Sequence, residues 1–346
     1  MTDSTHEVNT VDVVVEENPQ EFFAWYRHSG ENEIPELSPF QTMCNSSSNM
    51  KPVKDYRVIL QDIGSNYITH MYVGVTGIAP NLGVICPRVT HLRICMFTGS
   101  DNKIDFIEHC KEVCKLEIHN TDLSANGFPD VFSKLTSVKE LYLDWCILPQ
   151  LPEKLQSLAS LKHLQVLSLP GGRRSIGYPE VVSSLTNLTH LYLPMLNITE
   201  LPWSFSSLKN LRELSLSRNK FANHQLPVVV CELTELVHLD LTSCDLIDLP
   251  QSFCRLTKLE HLILTFNNLK ILPPPIYSLT NLICLSVPGN FKLRTFDKAI
   301  LNLEKLEELH FGDCYALKEP PWKLCFEGIA GVRRYFMERE ASRLVD

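Results

Sequence analysis

The sequence predicts an α/β solenoid: a parallel β-sheet on the concave face of a curved horseshoe, with short helices, 3-10 turns and loops on the convex face. Three observations carry that expectation. An apolar comb restarts at Val89, Val113, Val138, Leu164, Leu188, Leu211, Leu236, Leu259, Leu282 and Leu306, in steps of 24, 25, 26, 24, 23, 25, 23, 23 and 24 residues. In every unit the fourth and sixth positions are apolar, as at Leu262 and Leu264, the alternation of a short strand with one buried face. The second half of the clearest unit, Leu272-Pro273 to Ile276 and Leu279, is spaced around a proline, which blocks a ladder hydrogen bond. Such a unit cannot bury its apolar edge alone and needs copies on both sides.

Taken in order, residues 1–50 read as an acidic, largely disordered arm. Residues 1–40 hold nine acids and one arginine, a net charge of −8, which leaves 31 acids and 31 bases on the rest of the chain. Within the arm a short aromatic helix is expected at 19–29. Asn18 can cap it, Pro19 suits its first position, Glu21 its third, and Gly30 can end it. Phe22, Trp25 and Tyr26 would share one face, either docked as part of a cap or offered to a partner groove. Residues 36–53 resemble a linker. Residues 51–88 are read as an N-terminal cap with a degenerate repeat marked by Ile68, Met71, Val73 and Ile78. About ten repeats fill 89–320, and 321–346 form a C-terminal helical cap whose Ile329, Val332 and Phe336 cover the last repeat.

The ninth position is Asn219, Asn267 and Asn290 in three copies and Cys146, Cys244 and Cys314 in three others. Both side chains can satisfy backbone groups where the chain leaves the strand. Gly172 and Leu196 replace them elsewhere, and Gly171-Gly172-Arg173-Arg174 is expected to be a looser rim loop. The chain has 12 cysteines, but this periodic placement argues for buried free thiols. With no apolar leader at the start, a reducing, cytoplasmic setting is expected.

This spacing and content resemble the leucine-rich-repeat family, and the recurring Leu-Pro half (Leu151-Pro152, Leu201-Pro202, Leu249-Pro250, Leu272-Pro273) resembles its intracellular class. The ending, with Pro320-Pro321, Cys325, Gly328, Val332 and Tyr335, is similar to that of the Ras-group scaffolds, while Leu324, Gly331 and Phe336 depart from it. What this resemblance implies is an intracellular signalling scaffold or adaptor whose partner is a small GTPase or a phosphatase complex.

With the register known, the outward columns can be read directly. The fifth position carries Tyr142, Tyr192, Asp240 and His310; the third carries His190, Glu213, His238 and His261; the eighth carries Trp145, Met195, Arg218 and Phe266. The core does not need them, and Tyr, Trp, Met and Arg dominate protein interfaces. Tyr142, Trp145, Tyr192, Met195, Arg218 and Phe266 are the expected anchors, with His190, Glu213, His238, Asp240, His261 and His310 between them. The run His190, Glu213, His238, His261 is read as a polar stripe and not as a metal site, since a flat ladder with strands about 4.8 Å apart does not wrap an ion tetrahedrally.

The exclusions narrow the function. The body lacks the basic footprint of a nucleic-acid binder, and no run of about 18 apolar residues predicts a membrane span. The sequence has no phosphate loop, nucleophile elbow, H-E-x-x-H or C-x-x-C motif, so no catalytic residues, cofactor or metal are expected and an enzyme is not. The reading is a monomeric, non-catalytic adaptor that holds a protein on its concave face. The alternative is a sensor or immune-type recognition fragment acting with a separate signalling domain.

Overall fold

The computed structural model describes residues 11–18, 21–28, 70–75 and 89–343, apart from 97–103, 105–106, 109, 120, 125–128, 145, 149–151, 170 and 172–176. The chain divides into two compact units: Met1–Pro149 with Ser157–Leu164, and Gln150–Gln156 with Gln165–Asp346. Both are built from the strand that the repeat predicts, and the fold is a leucine-rich-repeat solenoid.

In the first unit, β1 (Val11–Asn18) and β2 (Glu21–His28) are antiparallel, with Val11 opposite His28 and Asn18 opposite Glu21. β1 runs parallel to β3 (His70–Val75) at Val14 and Tyr72. β3 is followed by the parallel strands β4 (His91–Met96), β5 (Lys115–His119) and β6 (Glu140–Tyr142). The helix expected at 19–29 is corrected: Glu21–His28 is a strand, and so is the valine-rich stretch of the arm assigned to disorder. The cap signals were present, but aromatic residues at 22, 23, 25 and 26 and valines at 11, 13, 14 and 15 favour extended, paired backbone. Met71 and Val73 of the degenerate repeat lie in β3. Ile68, Ile78, the linker at 36–53 and the loop from Gly172 to Arg174 fall outside the described residues.

In the second unit, β7 (Val166–Ser168), β8 (His190–Tyr192), β9 (Glu213–Ser215), β10 (His238–Asp240), β11 (His261–Ile263), β12 (Cys284–Ser286) and β13 (Glu308–His310) are all parallel and in register. Each strand occupies the third to fifth positions of its repeat. The fourth-position leucines, Leu191 to Leu309, are buried, as are the sixth-position residues from Leu193 to Phe311. Each buried side chain contributes about 1.5–3 kcal/mol relative to exposure. Ser168 departs from the outward reading of its column: this small side chain, in register with Tyr192, is buried.

The proline halves form 3-10 turns, among them Glu180–Ser184, Trp203–Ser207, Val228–Glu232, Gln251–Arg255 and Pro274–Ser278. A proline precedes each one, in extended or near-extended backbone, and its carbonyl accepts the first bond of the turn. Pro202 accepts from the Phe205 amide at 3.0 Å, and Pro250 from Phe253 at 2.9 Å. Proline thus starts the turn that buries Phe205 and Phe253.

A rung of buried side chains ties the copies together. Asn267 Oδ1 accepts from the amides of Cys244 (3.1 Å) and Leu246 (2.9 Å), while its Nδ2 donates to the carbonyls of Leu241 and Leu264, both at 2.9 Å. Asn219 and Asn290 bridge neighbouring repeats in the same way. Where the position is cysteine, the thiol donates to a carbonyl of the preceding repeat: Cys244 to Leu216 (3.2 Å) and Cys314 to Val287 (3.4 Å), and in the first unit Cys146 to Ile118 (3.2 Å). Burial pushes the Cys244 thiol up to about 12, so it stays protonated and keeps donating. Cys110, Cys114, Cys146, Cys231, Cys244, Cys254, Cys284 and Cys314 are free thiols.

At the end of the second unit, α1 (Gly328–Arg343) buries Ile329, Val332 and Phe336. Arg333 Nη2 reaches the carbonyls of Leu303, Glu304 and Leu306 at 3.1–3.2 Å, closing backbone acceptors that have no further repeat to pair with. Among the described residues no helix is long and apolar enough to cross a membrane.

Candidate protein-binding surface

The outward face of β8–β13 brings together most of the candidate residues. His190, Tyr192, Glu213, His238, Asp240 and His261 are half-buried on adjacent strands, and His310 is exposed at β13. Tyr142 belongs to the first unit and is treated with it below. Trp145 falls outside the described residues.

The eighth-position residues leave the sheet through a turn that the sequence did not announce. Met195, Arg218, Ser243, Phe266 and Asp313 all have left-handed backbone, with φ of 54–59°. Gly289 takes the sixth such position at 71°. For a residue with a side chain this costs about 1–2 kcal/mol. Two sets of bonds hold the turn. The rung lies directly behind it wherever the ninth residue is Asn or Cys, and the eighth-position amides of Met195, Arg218, Ser243, Phe266 and Gly289 each donate to a seventh-position carbonyl of the next repeat. Met195 reaches Ser217 at 3.0 Å, Arg218 reaches Thr242 at 2.7 Å, and Phe266 reaches Pro288 at 2.8 Å. As a result Met195, Arg218 and Phe266 are exposed, Phe266 by 54%. The Phe266 ring lies over Gly289, where a Cβ would come within 2.3 Å of it. Arg218 Nη1 sits 4.0 Å from the Met195 sulfur.

Beside this crest, the sheet face is polar but carries little net charge of its own. His190 Nε2 is 3.7 Å from Glu213, and its Nδ1 is 2.8 Å from the Thr189 hydroxyl. The rings of His238 and His261 stack with centroids 4.3 Å apart. Burial, then the neighbouring His261, holds the His238 imidazole below its ordinary range, with Glu213 opposing. Asp240 accepts from the Thr242 amide (2.9 Å) and hydroxyl (2.6 Å) and from the Ser215 hydroxyl (2.8 Å), so its lone pairs are largely spoken for. Ile263, at the fifth position of its repeat, is 36% exposed and was not among the expected anchors. Met195 and Phe266 put apolar side chains on a crest shared with Arg218, Ser243 and Asp313, and the floor is hydrogen-bonded, a mixture of the kind that protein interfaces carry.

In the first unit, Tyr142 is already engaged. Its hydroxyl is 3.4 Å from Glu140 Oε2, and the Lys115 ammonium lies 5.2 Å from its ring centroid. Burial, then Glu140, pushes the phenol up to about 12.

The comparisons with known proteins agree with this geometry. Residues 203–319 match a family model described as "Leucine-rich repeat region". No curated protein matches the sequence. Among solved structures, an internalin (inlF) from Listeria monocytogenes is 15% identical, with 73% of this chain and 80% of that one covered and a TM-score of 0.52. The structure of the Drosophila Toll–Spätzle complex is 22% identical over 73% of this chain and 37% of that one, with a TM-score of 0.56. A plant peptide hormone receptor, RGFR1 in complex with RGF2, is 18% identical over 73% of this chain and 47% of that one, with a TM-score of 0.49. The chain therefore spans less than half the length of the two receptor structures. Identities this low establish a shared fold.

Proposed function

We propose that the chain is a non-catalytic adaptor that holds a protein partner on the outward face of β8–β13. The observation that carries this reading is the set of exposed apolar side chains Met195 and Phe266 on the crest and Ile263 on the sheet, beside polar groups that bond to one another. Desolvating such groups costs a partner little, and aromatic and thioether anchors supply the contact energy. The finer reading is an intracellular, cytoplasmic signalling role with a small GTPase or phosphatase complex as the partner. It rests on the Pro320-to-Phe336 ending and its likeness to the Ras-group scaffolds.

Capture from cell extract tests both. Wild type should retain a discrete partner, and Phe266→Ala should weaken it at least tenfold, or about 1.4 kcal/mol, while changing the urea midpoint little. Undiminished capture by a Met195→Ala/Ile263→Ser/Phe266→Ala variant would move the site elsewhere on the chain. The second reading, a recognition fragment working with a separate signalling domain, draws on the Toll–Spätzle structure, whose title describes a hub in development and innate immunity. Recovery of a secreted ligand, and of no GTPase or phosphatase, would favour it.

A further inference from the structure

We propose that Cys284, Glu308 and His310 form a binding site for a borderline divalent transition-metal ion, zinc above all, at the β12–β13 end of the outward face. The three side chains come from two neighbouring strands. Cys284 and Glu308 are register partners at the third position, and His310 stands two residues on, on the same face of β13. One thiol sulfur, one carboxylate oxygen and one imidazole nitrogen all lie within 4.8 Å of one another. His310 Nε2 is 3.5 Å from Glu308 Oε2.

Zinc holds sulfur at about 2.3 Å and nitrogen or oxygen at about 2.0–2.2 Å, which places tetrahedral donors about 3.3–3.7 Å apart. The trio is within a side-chain adjustment of that spacing, and Glu308 and His310 are exposed, so their rotamers can close on an ion without disturbing the core. Binding exchanges the thiol proton, released to solvent, for the metal. Three protein donors leave the fourth position to water or to a donor from a partner. Thiolate with imidazole selects zinc or cobalt over magnesium or calcium. The stripe from His190 to His261 differs here: it spans four strands, whereas this trio converges from two.

Cobalt(II) makes the test visible. One equivalent added to the purified protein should give a thiolate-to-cobalt charge-transfer band, and zinc should bleach it. Cys284→Ser should abolish the band, and His310→Ala and Glu308→Gln should each weaken binding at least tenfold. Cys114→Ser and Cys254→Ser, which alter other half-buried thiols, should leave it intact. All three site positions are half-buried or exposed, so far-UV circular dichroism should confirm that the variants fold. Absence of the band in wild type, its persistence in Cys284→Ser, or equal affinity in His310→Ala and Glu308→Gln would overturn the proposal.

Discussion

Glu117 and Asp240 occupy the same fifth position of their repeats and meet opposite surroundings. Glu117, in the first unit, faces Arg93 from the adjacent strand, with Lys115 Nζ at 3.2 Å and His119 Nε2 at 3.6 Å. Burial alone would raise its carboxyl, but the close approach of His119, Arg93 and Lys115 and the Arg93 charge bring it down to about 2. Asp240, in the second unit, is held by two hydroxyls and an amide. The first face spends its charges on one another, and a partner docking there must strip water from ions. The second face is tied up by neutral bonds and lifts its apolar side chains clear. An outward column is therefore not equally available along its length.

The largest effect that can sharpen this contrast is in the frame of the second unit. Asn267→Ala strands the Cys244 and Leu246 amides and the Leu241 carbonyl, while Leu264 keeps its bond from Asn290, and should cost about 3 kcal/mol, read as a lowered urea midpoint. Cys244→Ala, which removes one donor, should cost about 1 kcal/mol. Equal losses would mean that the rung works by filling space and not by its bonds.

Next comes the ion cluster of the first unit. Glu117→Gln should cost no more than about 2 kcal/mol at neutral pH, since the exposed part of Arg93 is screened by solvent. Because the folded carboxyl is depressed, the stabilisation is complete above its ordinary value of 4.5 and is lost as pH falls toward about 2. The protection of the Leu116 and Ile118 amides against hydrogen exchange, relative to their intrinsic rates, should therefore fall over that window in wild type and stay flat in Glu117→Gln. The smallest effect belongs to Tyr142→Phe, which deletes the hydroxyl contact with Glu140. It should cost about 0.5 kcal/mol and leave partner capture unchanged. A drop in capture would break the contrast by bringing the first unit's face into the interface.

Much of this was legible in the chain. The apolar comb located all ten repeat strands, because the inward leucines repeat with a period that nothing else in the sequence imitates. The asparagine and cysteine rung followed from asking where the turn's backbone groups find partners. The strand at Glu21–His28 was missed because its cap residues satisfied a local rule, while pairing with Val11–Asn18 is not a local property. The Glu117 cluster escaped because Arg93 lies 24 residues upstream and enters only when adjacent columns are read together. The left-handed eighth position was illegible for a related reason: of Met, Arg, Ser, Phe and Asp only Asp favours it, and the bonds that hold Met195, Arg218, Ser243 and Phe266 in it come from the next repeat.

That turn has a consequence for how such a molecule can change. Its geometry is dictated from behind by the rung and from the side by a neighbour's carbonyl, and six different residue types already sit on it, from glycine to phenylalanine. Novelty at the crest is thus decoupled from the integrity of the scaffold. Each tip can be exchanged by a single codon without renegotiating the fold, so the same stack can be given a new partner one substitution at a time.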